Sequence, residues 1–344
     1  MKARDCVCDP PLADSYQELS YKSTQAELRQ HDQDCEVIAE CELPMIDLRG
    51  LRSCNEEERH ARVEAIAKAS TEWGFFQVLN HGISRELLEE MWREQIKLFA
   101  LPFEKKARSR LLNDSYRWGT PAATSLHQFS WSEAFHVPLA KISEKGSCYG
   151  EFSSLRDAME KLAAAMSELA TTLAGALAES LGYDSRGFPE SCNKSTCFLR
   201  LNHYPPCPFS AEIFGLMPHT DSDFLTILYQ DQVGGLQLMK DSKWVAVKPN
   251  PDALIVNIGD LFQAWSNDVY KSVEHKVLIN SKRDRYSIAY FLCPSYESTI
   301  GSCKKPSIYK DFTFGEYRKQ VQDDVKITGQ KIGLPRFLLQ NISL

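Results

Sequence analysis

Five residues in one short stretch, His219, Asp221, His275, Arg285 and Ser287, have the types and spacing to do chemistry together. Two imidazoles and one carboxylate make a three-donor metal site. Nitrogen and oxygen donors without thiolate suit Fe(II), and three protein donors leave coordination positions open for a chelating ligand and dioxygen. Arg285 and Ser287 stand two apart, so on a strand they share a face. A guanidinium fork beside a hydroxyl is a receptor for a carboxylate. A lone His-x-Asp pair is weak evidence; the later imidazole and the Arg-x-Ser pair give it force. A zinc hydrolase could use the same three donors but would not need Arg285 and Ser287.

Short strands must position these groups. From Thr196 onward the chain breaks into apolar or alternating runs at 197–201, 225–229, 236–239, 244–247, 253–258, 272–279 and 285–292, with turn residues between them. Seven strands at this spacing predict a sandwich or jelly roll. The turn at 280–284 sets the Arg285 strand beside the His275 strand, so all five residues can line one cavity. Asn202, His203 and Tyr204 end a strand that Pro205 and Pro206 stop.

Helices surround this core. The stripe Leu155, Met159, Leu162, Met166, Leu169, Leu173 and Leu177 predicts a long core-facing helix between Glu151 and Leu181, stopped by Gly182. Glu56, Glu57 and Glu58 suit the start of a helix running to about Trp73, and 74–79 reads as a strand. Ser84 is placed to cap a helix whose inner face would be Leu88, Trp92, Ile96 and Phe99. Residues after Phe314 return to a helical texture. The division expected is a loosely ordered lead-in (1–40), an N-terminal region (41–150), a long helix and linker (151–195), the β core (196–296) and a C-terminal helical segment (297–344).

Bulk properties narrow the partners. A formal net charge of −6, a pI near 5.8 and no basic block argue against nucleic acid. Mean hydropathy is −0.35, and no apolar run reaches the roughly 20 residues that span a bilayer. The N-terminal ten residues do not read as a secretory signal. The expectation is an intracellular protein, cytoplasmic or also nuclear, with its eleven scattered cysteines reduced. Oligomeric state is left open. His31, His60, His81, His127 and His136 read as solvated or structural, and Lys304-Lys305 as a surface pair.

The motifs Asn202-His203-Tyr204-Pro205-Pro206-Cys207, His219-Thr220-Asp221, His275 and Arg285-Tyr286-Ser287 stand in an order that resembles the plant 2-oxoglutarate- and Fe(II)-dependent dioxygenases. The resemblance extends from Leu43-Pro44-Met45-Ile46-Asp47 and Trp73-Gly74-Phe75-Phe76 to the C-terminal helix, and is greatest to the gibberellin 2-oxidases. The segment 130–136 is similar to the branch acting on C20 gibberellins. His203 departs from the tyrosine common there, on the face opposite Tyr204. The resemblance implies a mainly β fold with flanking helices: a double-stranded β-helix, or jelly roll, wrapped by an N-terminal α/β region and a C-terminal helix. It implies Fe(II) on His219, Asp221 and His275, and 2-oxoglutarate held by Arg285 and Ser287 with help from Tyr204 and Asn202. Dioxygen is the oxidant and ascorbate the reductant. The small-molecule substrate would be a gibberellin hydroxylated at carbon 2; a flavonoid and a non-catalytic hormone-binding role are the alternatives. A carboxylate-bearing diterpenoid calls for aromatic walls and a cation, for which Arg117 and Tyr317 are the candidates.

Overall fold

Two sheets close around one cavity in the computed structural model, which describes residues 9–22, 39–108, 112, 115–121, 123–144, 149, 152–184, 192, 194–209 and 213–339. Cys6, Cys8, His31, Cys35, Cys148 and most of the lead-in lie outside the described residues. In chain order the elements are α1 (Leu12–Lys22), β1 (Ala39–Cys41), β2 (Met45–Asp47), α2 (Glu56–Glu72), β3 (Phe75–Leu79), α3 (Arg85–Phe99), α4 (Phe103–Arg108), β4 (Tyr116–Trp118), β5 (Glu133–Pro138), α5 (Leu139–Ile142) and α6 (Ser153–Ser180). Then follow β6 (Phe198–Tyr204), β7 (Phe214–His219), β8 (Leu225–Gln230), β9 (Leu236–Lys240), β10 (Lys243–Val247), β11 (Leu254–Ile258), α7 (Asp260–Trp265), β12 (His275–Leu278), β13 (Arg285–Leu292), β14 (Thr299–Ile300), β15 (Phe312–Thr313) and α8 (Phe314–Thr328). The smaller sheet runs β1-β10-β9-β12-β7 and the larger β2-β3-β11-β8-β13-β6-β5-β4. This is a mainly β, jelly-roll architecture with flanking helices.

Period-two alternation assigns the two faces of the larger sheet. Phe198, Arg200, Asn202 and Tyr204 of β6, with Arg285, Ser287, Ala289 and Phe291 of β13, line the cavity. Their neighbours Leu199, Leu201, Ile288 and Tyr290 are buried in the core on the other side. There α6 lies against α2, α3, β8 and β13. Its expected stripe is wholly buried, from Leu155 to Leu177. Each of its leucines, truncated to alanine, would cost about 2–5 kcal/mol.

The helix that Ser84 caps forms, with the Ser84 Oγ accepting from the Leu87 amide, but its inner face is turned from the expected one. Leu88, Met91, Gln95, Leu98 and Phe99 are buried, whereas Ile96 is exposed and Trp92 only half-buried. Gln95 Nε2 donates to the Asn202 and Ser287 carbonyls at 2.9 and 3.0 Å and so ties α3 to β6 and β13, while its Oε1 is buried without a partner.

Among the described residues six strands escaped the sequence pattern, β1, β4, β5, β7, β14 and β15. β7 carries Pro218, and it tolerates a residue without an amide donor because it is the edge of the smaller sheet. The strand expected at 272–279 shortens to β12. Among the described residues no helix is long and apolar enough to cross a membrane.

Candidate active site

His219 at the end of β7 and His275 at the start of β12 are register partners, with ring centroids 4.3 Å apart. Asp221 follows β7 and turns its carboxylate between them: Oδ1 is 3.6 Å from His219 Nε2, and Oδ2 is 3.8 Å from His275 Nε2. One ligand atom from each lies within 4.8 Å of the others. The tautomers are fixed by the backbone. His219 Nδ1 donates to the Met217 carbonyl at 2.7 Å and His275 Nδ1 to the Val273 carbonyl at 3.1 Å, so both Nε2 lone pairs face Asp221.

Asp221 is oriented too. Its Oδ2 accepts from Thr226 Oγ1 at 2.6 Å and Asn257 Nδ2 at 2.8 Å. Burial alone would raise its pKa, but the imidazoles and these two bonds outweigh burial and hold it at about 2. Burial, then the charge of His275, depresses His219 to about 3. A neutral imidazole and an ionised carboxylate are the forms that bind a divalent cation.

The backbone below this site is braced. The Asp260 amide donates to the Asp221 carbonyl at 2.9 Å, and Asp260 Oδ2 accepts from Thr220 Oγ1 at 3.1 Å and pairs with Lys331 Nζ at 2.6 Å. A side chain at Gly259 would place Cβ 2.1 Å from Asp223 Oδ1, so the close approach requires glycine. Burial, then Asp221, raises Asp223 well above the usual carboxylate range.

The cavity above has a volume of about 380 Å³, the size of a small-ligand pocket. Arg285 is 1% exposed on its wall, directly across the strand pair from Tyr204, whose ring centre lies 4.8 Å from the guanidinium carbon. Gln230 Oε1 accepts from Arg285 Nη2 at 2.7 Å, while Nε and Nη1 are buried without a partner. A buried guanidinium with two unsatisfied donors calls for an anion. Ser287 and Asn202 form the next cross-strand pair, and Asn202 Nδ2 donates to Ser287 Oγ at 3.2 Å. The three-donor cluster and the Arg285 receptor therefore share one cavity, and the residues fit both a metal ion and a carboxylate ligand.

The two expected substrate residues lie elsewhere. Arg117 is exposed and does not line the cavity: it falls on the same cross-strand row as Ala134 and Asn202, but β4 is the sheet's outermost strand and the cavity ends before it. Tyr317 is fully buried behind the wall, its hydroxyl donating to Asp260, so it braces the metal loop. Besides Arg285, the lysine and arginine side chains on the cavity are Arg200, Arg318 and Lys331. Sequence reasoning passed over Arg200, though its place two residues before Asn202 was a readable signal. It also passed over Thr226, Asn257 and Gln230, for which no spacing rule gave a hint.

His203 faces away from the cavity. Its Nδ1 meets Glu133 at 2.7 Å and its Nε2 meets Asp284 at 2.8 Å. Asp9, Glu133 and His203 could also form a metal cluster by distance. Lys106 Nζ, however, lies 2.8 and 2.7 Å from the two Glu133 oxygens, both side chains being wholly buried, so the group is a closed ion network.

Known proteins share the sequence and the fold of this chain. Residues 195–294 match the 2OG-Fe(II) oxygenase superfamily and residues 43–150 the N-terminal region of non-haem dioxygenases named for morphine synthesis. The chain is 58% identical to gibberellin 2-beta-dioxygenase 6 of Oryza sativa subsp. japonica, over 97% of both chains. It is 54% identical to gibberellin 2-beta-dioxygenase 8 of Arabidopsis thaliana, over 96% of this chain and 98% of that one. Among solved structures, JOX2 in complex with 2OG, Fe and JA superposes with a TM-score of 0.72 at 30% identity, covering 84% of this chain and 89% of that one.

Proposed function

Because this chain belongs to the 2OG-Fe(II) oxygenase superfamily, we propose that it hydroxylates gibberellins at carbon 2, with His219, Asp221 and His275 as the iron ligands. One molecule each of oxoglutarate and dioxygen is consumed per substrate C–H bond converted to C–OH, with release of succinate and carbon dioxide. Bound iron supplies dioxygen activation. The protein's contribution is positional. Arg285 offers Nε and Nη1 to the distal carboxylate of oxoglutarate, Gln230 fixes the guanidinium from behind, and Ser287, oriented by Asn202, adds a hydroxyl donor. Tyr204 covers the guanidinium and excludes water from it.

The observation that carries this reading is the pairing of a three-donor metal cluster with a buried arginine carrying two unpaired donors, in a single cavity. The two charge-assisted bonds from Arg285 together contribute about 3–6 kcal/mol, less than the roughly 8 kcal/mol of micromolar binding, so Ser287 and metal chelation have to supply the remainder. The gibberellin assignment is supported by the close relatives, and a preference for C20 substrates by the likeness of residues 130–136. Ascorbate serves as reductant, and neither nucleic acid nor membrane is needed as a partner.

The test incubates the protein with Fe(II), ascorbate and oxoglutarate against C20 and C19 gibberellins and a flavonoid panel. The expected result is 2-hydroxylated gibberellin, formed with one equivalent of succinate and faster from C20 substrates. Turnover of flavonoids alone would overturn the hormone assignment and leave the iron chemistry standing.

A further inference from the structure

We propose that Arg200 and Arg318 form a second anion subsite in the cavity, separate from Arg285, which binds a carboxylate of the substrate. The inference rests on the oxygenase reading above and adds the chemical class of molecule that the cavity selects. Arg200 projects from the inner face of β6 and Arg318 from α8, and both line the cavity. Arg200 is half-buried, and its Nε donates to Asn202 Oδ1 at 2.8 Å. Among the described residues neither guanidinium is paired with a carboxylate, and that of Arg318, which is also half-buried, makes no hydrogen bond.

Register separates this subsite from the oxoglutarate receptor. Arg285 pairs with Tyr204, whereas Arg200 pairs with Ala289, four residues further along the strands. At about 3.3 Å per residue their backbone positions are roughly 13 Å apart, so the two arginines are rooted at different places along the wall.

Charge balance points the same way. Of the two negative charges on oxoglutarate, one meets Arg285 and the other the excess charge of a divalent ion over Asp221. Lys331 is neutralised by Asp260 at 2.6 Å. His136, the register partner of Arg200, is kept neutral: burial first, then Arg200, Arg318 and Arg117, depress it to about 4. Arg200 and Arg318 are left as uncompensated cations, in a site where an unpaired charge is costly.

The surrounding wall is apolar. Phe198 stacks on His136 at 3.9 Å and on Phe291 at 4.3 Å, and Tyr296 stacks on Phe314 at 5.5 Å. Aromatic walls around two guanidinium groups without a carboxylate partner fit a rigid hydrocarbon bearing a carboxylate.

The test compares a gibberellin free acid with its methyl ester, which keeps the shape and removes the charge. The unaltered enzyme should show a KM at least about tenfold higher for the ester, the loss expected for one charge-assisted bond. Arg318→Met should raise the KM of the acid by about tenfold to a hundredfold and that of the ester less than about threefold, collapsing the preference, and Arg318→Lys should restore most of it. Arg200→Met should do the same, although its bond to Asn202 makes it the less clean variant. If the unaltered enzyme treats acid and ester alike, or the variants keep the wild-type ratio, the subsite is refuted. The comparison on unaltered enzyme needs no variant to fold. Should neither gibberellin form turn over, the substrate assignment above fails, and the same acid-to-ester ratio is read on whichever substrate is oxidised.

Discussion

Thr226 Oγ1 lies 2.6 Å from Asp221 Oδ2 and 3.0 Å from Asp223 Oδ2, so one hydroxyl joins the proposed iron ligand to a buried carboxyl two residues on. With Asn257 it holds the Asp221 carboxylate between the two imidazoles. Thr226→Val should therefore weaken divalent metal binding by about 10–100-fold, as loss of an outer partner of a ligand does. Mn(II) or Fe(II) titration followed by calorimetry measures this. Wild-type affinity in the variant would show that Asn257 orients Asp221 unaided.

Arg285 contributes the two unpaired donors of the carboxylate receptor. Arg285→Gln should raise the dissociation constant for oxoglutarate by about tenfold to a hundredfold. Arg285→Lys should recover only part of this, because an ammonium lacks the planar fork. Anaerobic titration of the metal-loaded protein with oxoglutarate reads the effect directly. An unchanged constant would remove Arg285 from the site.

Tyr317 and Arg117 separate the cavity wall from its surroundings. Tyr317→Phe leaves Asp260 with Lys331 and Thr220 and should cost about 1–3 kcal/mol in urea unfolding. The KM for substrate should remain within about threefold in this variant and in Arg117→Ala. A tenfold rise in either would return that residue to the substrate pocket.

Lys106 and Glu133 form a wholly buried pair. Lys106→Met strands the carboxylate in the core and should destabilise the fold by about 3–5 kcal/mol. Adding Glu133→Gln should recover part of that loss, since the stranded charge is removed. Equal stability of the single variant and the parent would mean that Tyr116 and His203 suffice for Glu133.

His203 gives this network a pH dependence. Burial alone would lower its pKa, but the bonds to Asp284 and Glu133 outweigh burial and hold it above the ordinary value. A group with a raised folded pKa contributes its full stability below the unfolded value, near 6.5, and loses it as pH rises through the folded value. The melting temperature should therefore fall as pH rises above about 6.5, and His203→Gln should flatten that fall. Asp284, held below the usual range first by His203, acts in the opposite sense and only in acid. A parallel pH profile for the variant would rule His203 out as the titrating group.

Residue types and short-range spacing determined much of this protein before any coordinates. A period of two put Asn202 with Tyr204 and Arg285 with Ser287 on common faces, a period of three to four wrote the stripe of α6, and two imidazoles with a carboxylate named the chemistry. These are local properties, fixed by backbone geometry within a few residues. Tertiary structure alone decided which polar groups were satisfied and which were left open. Gln95 is buried with its Nε2 donating to two strand carbonyls, on a face of α3 that the spacing of apolar residues did not single out. Arg117 and Arg200 are both strand arginines beside aromatic residues; the first ends on an outermost strand in solvent and the second on a closed wall without a carboxylate partner. Burial and pairing depend on segments distant in sequence, so the proposed substrate subsite could be read only once the two sheets had closed on each other.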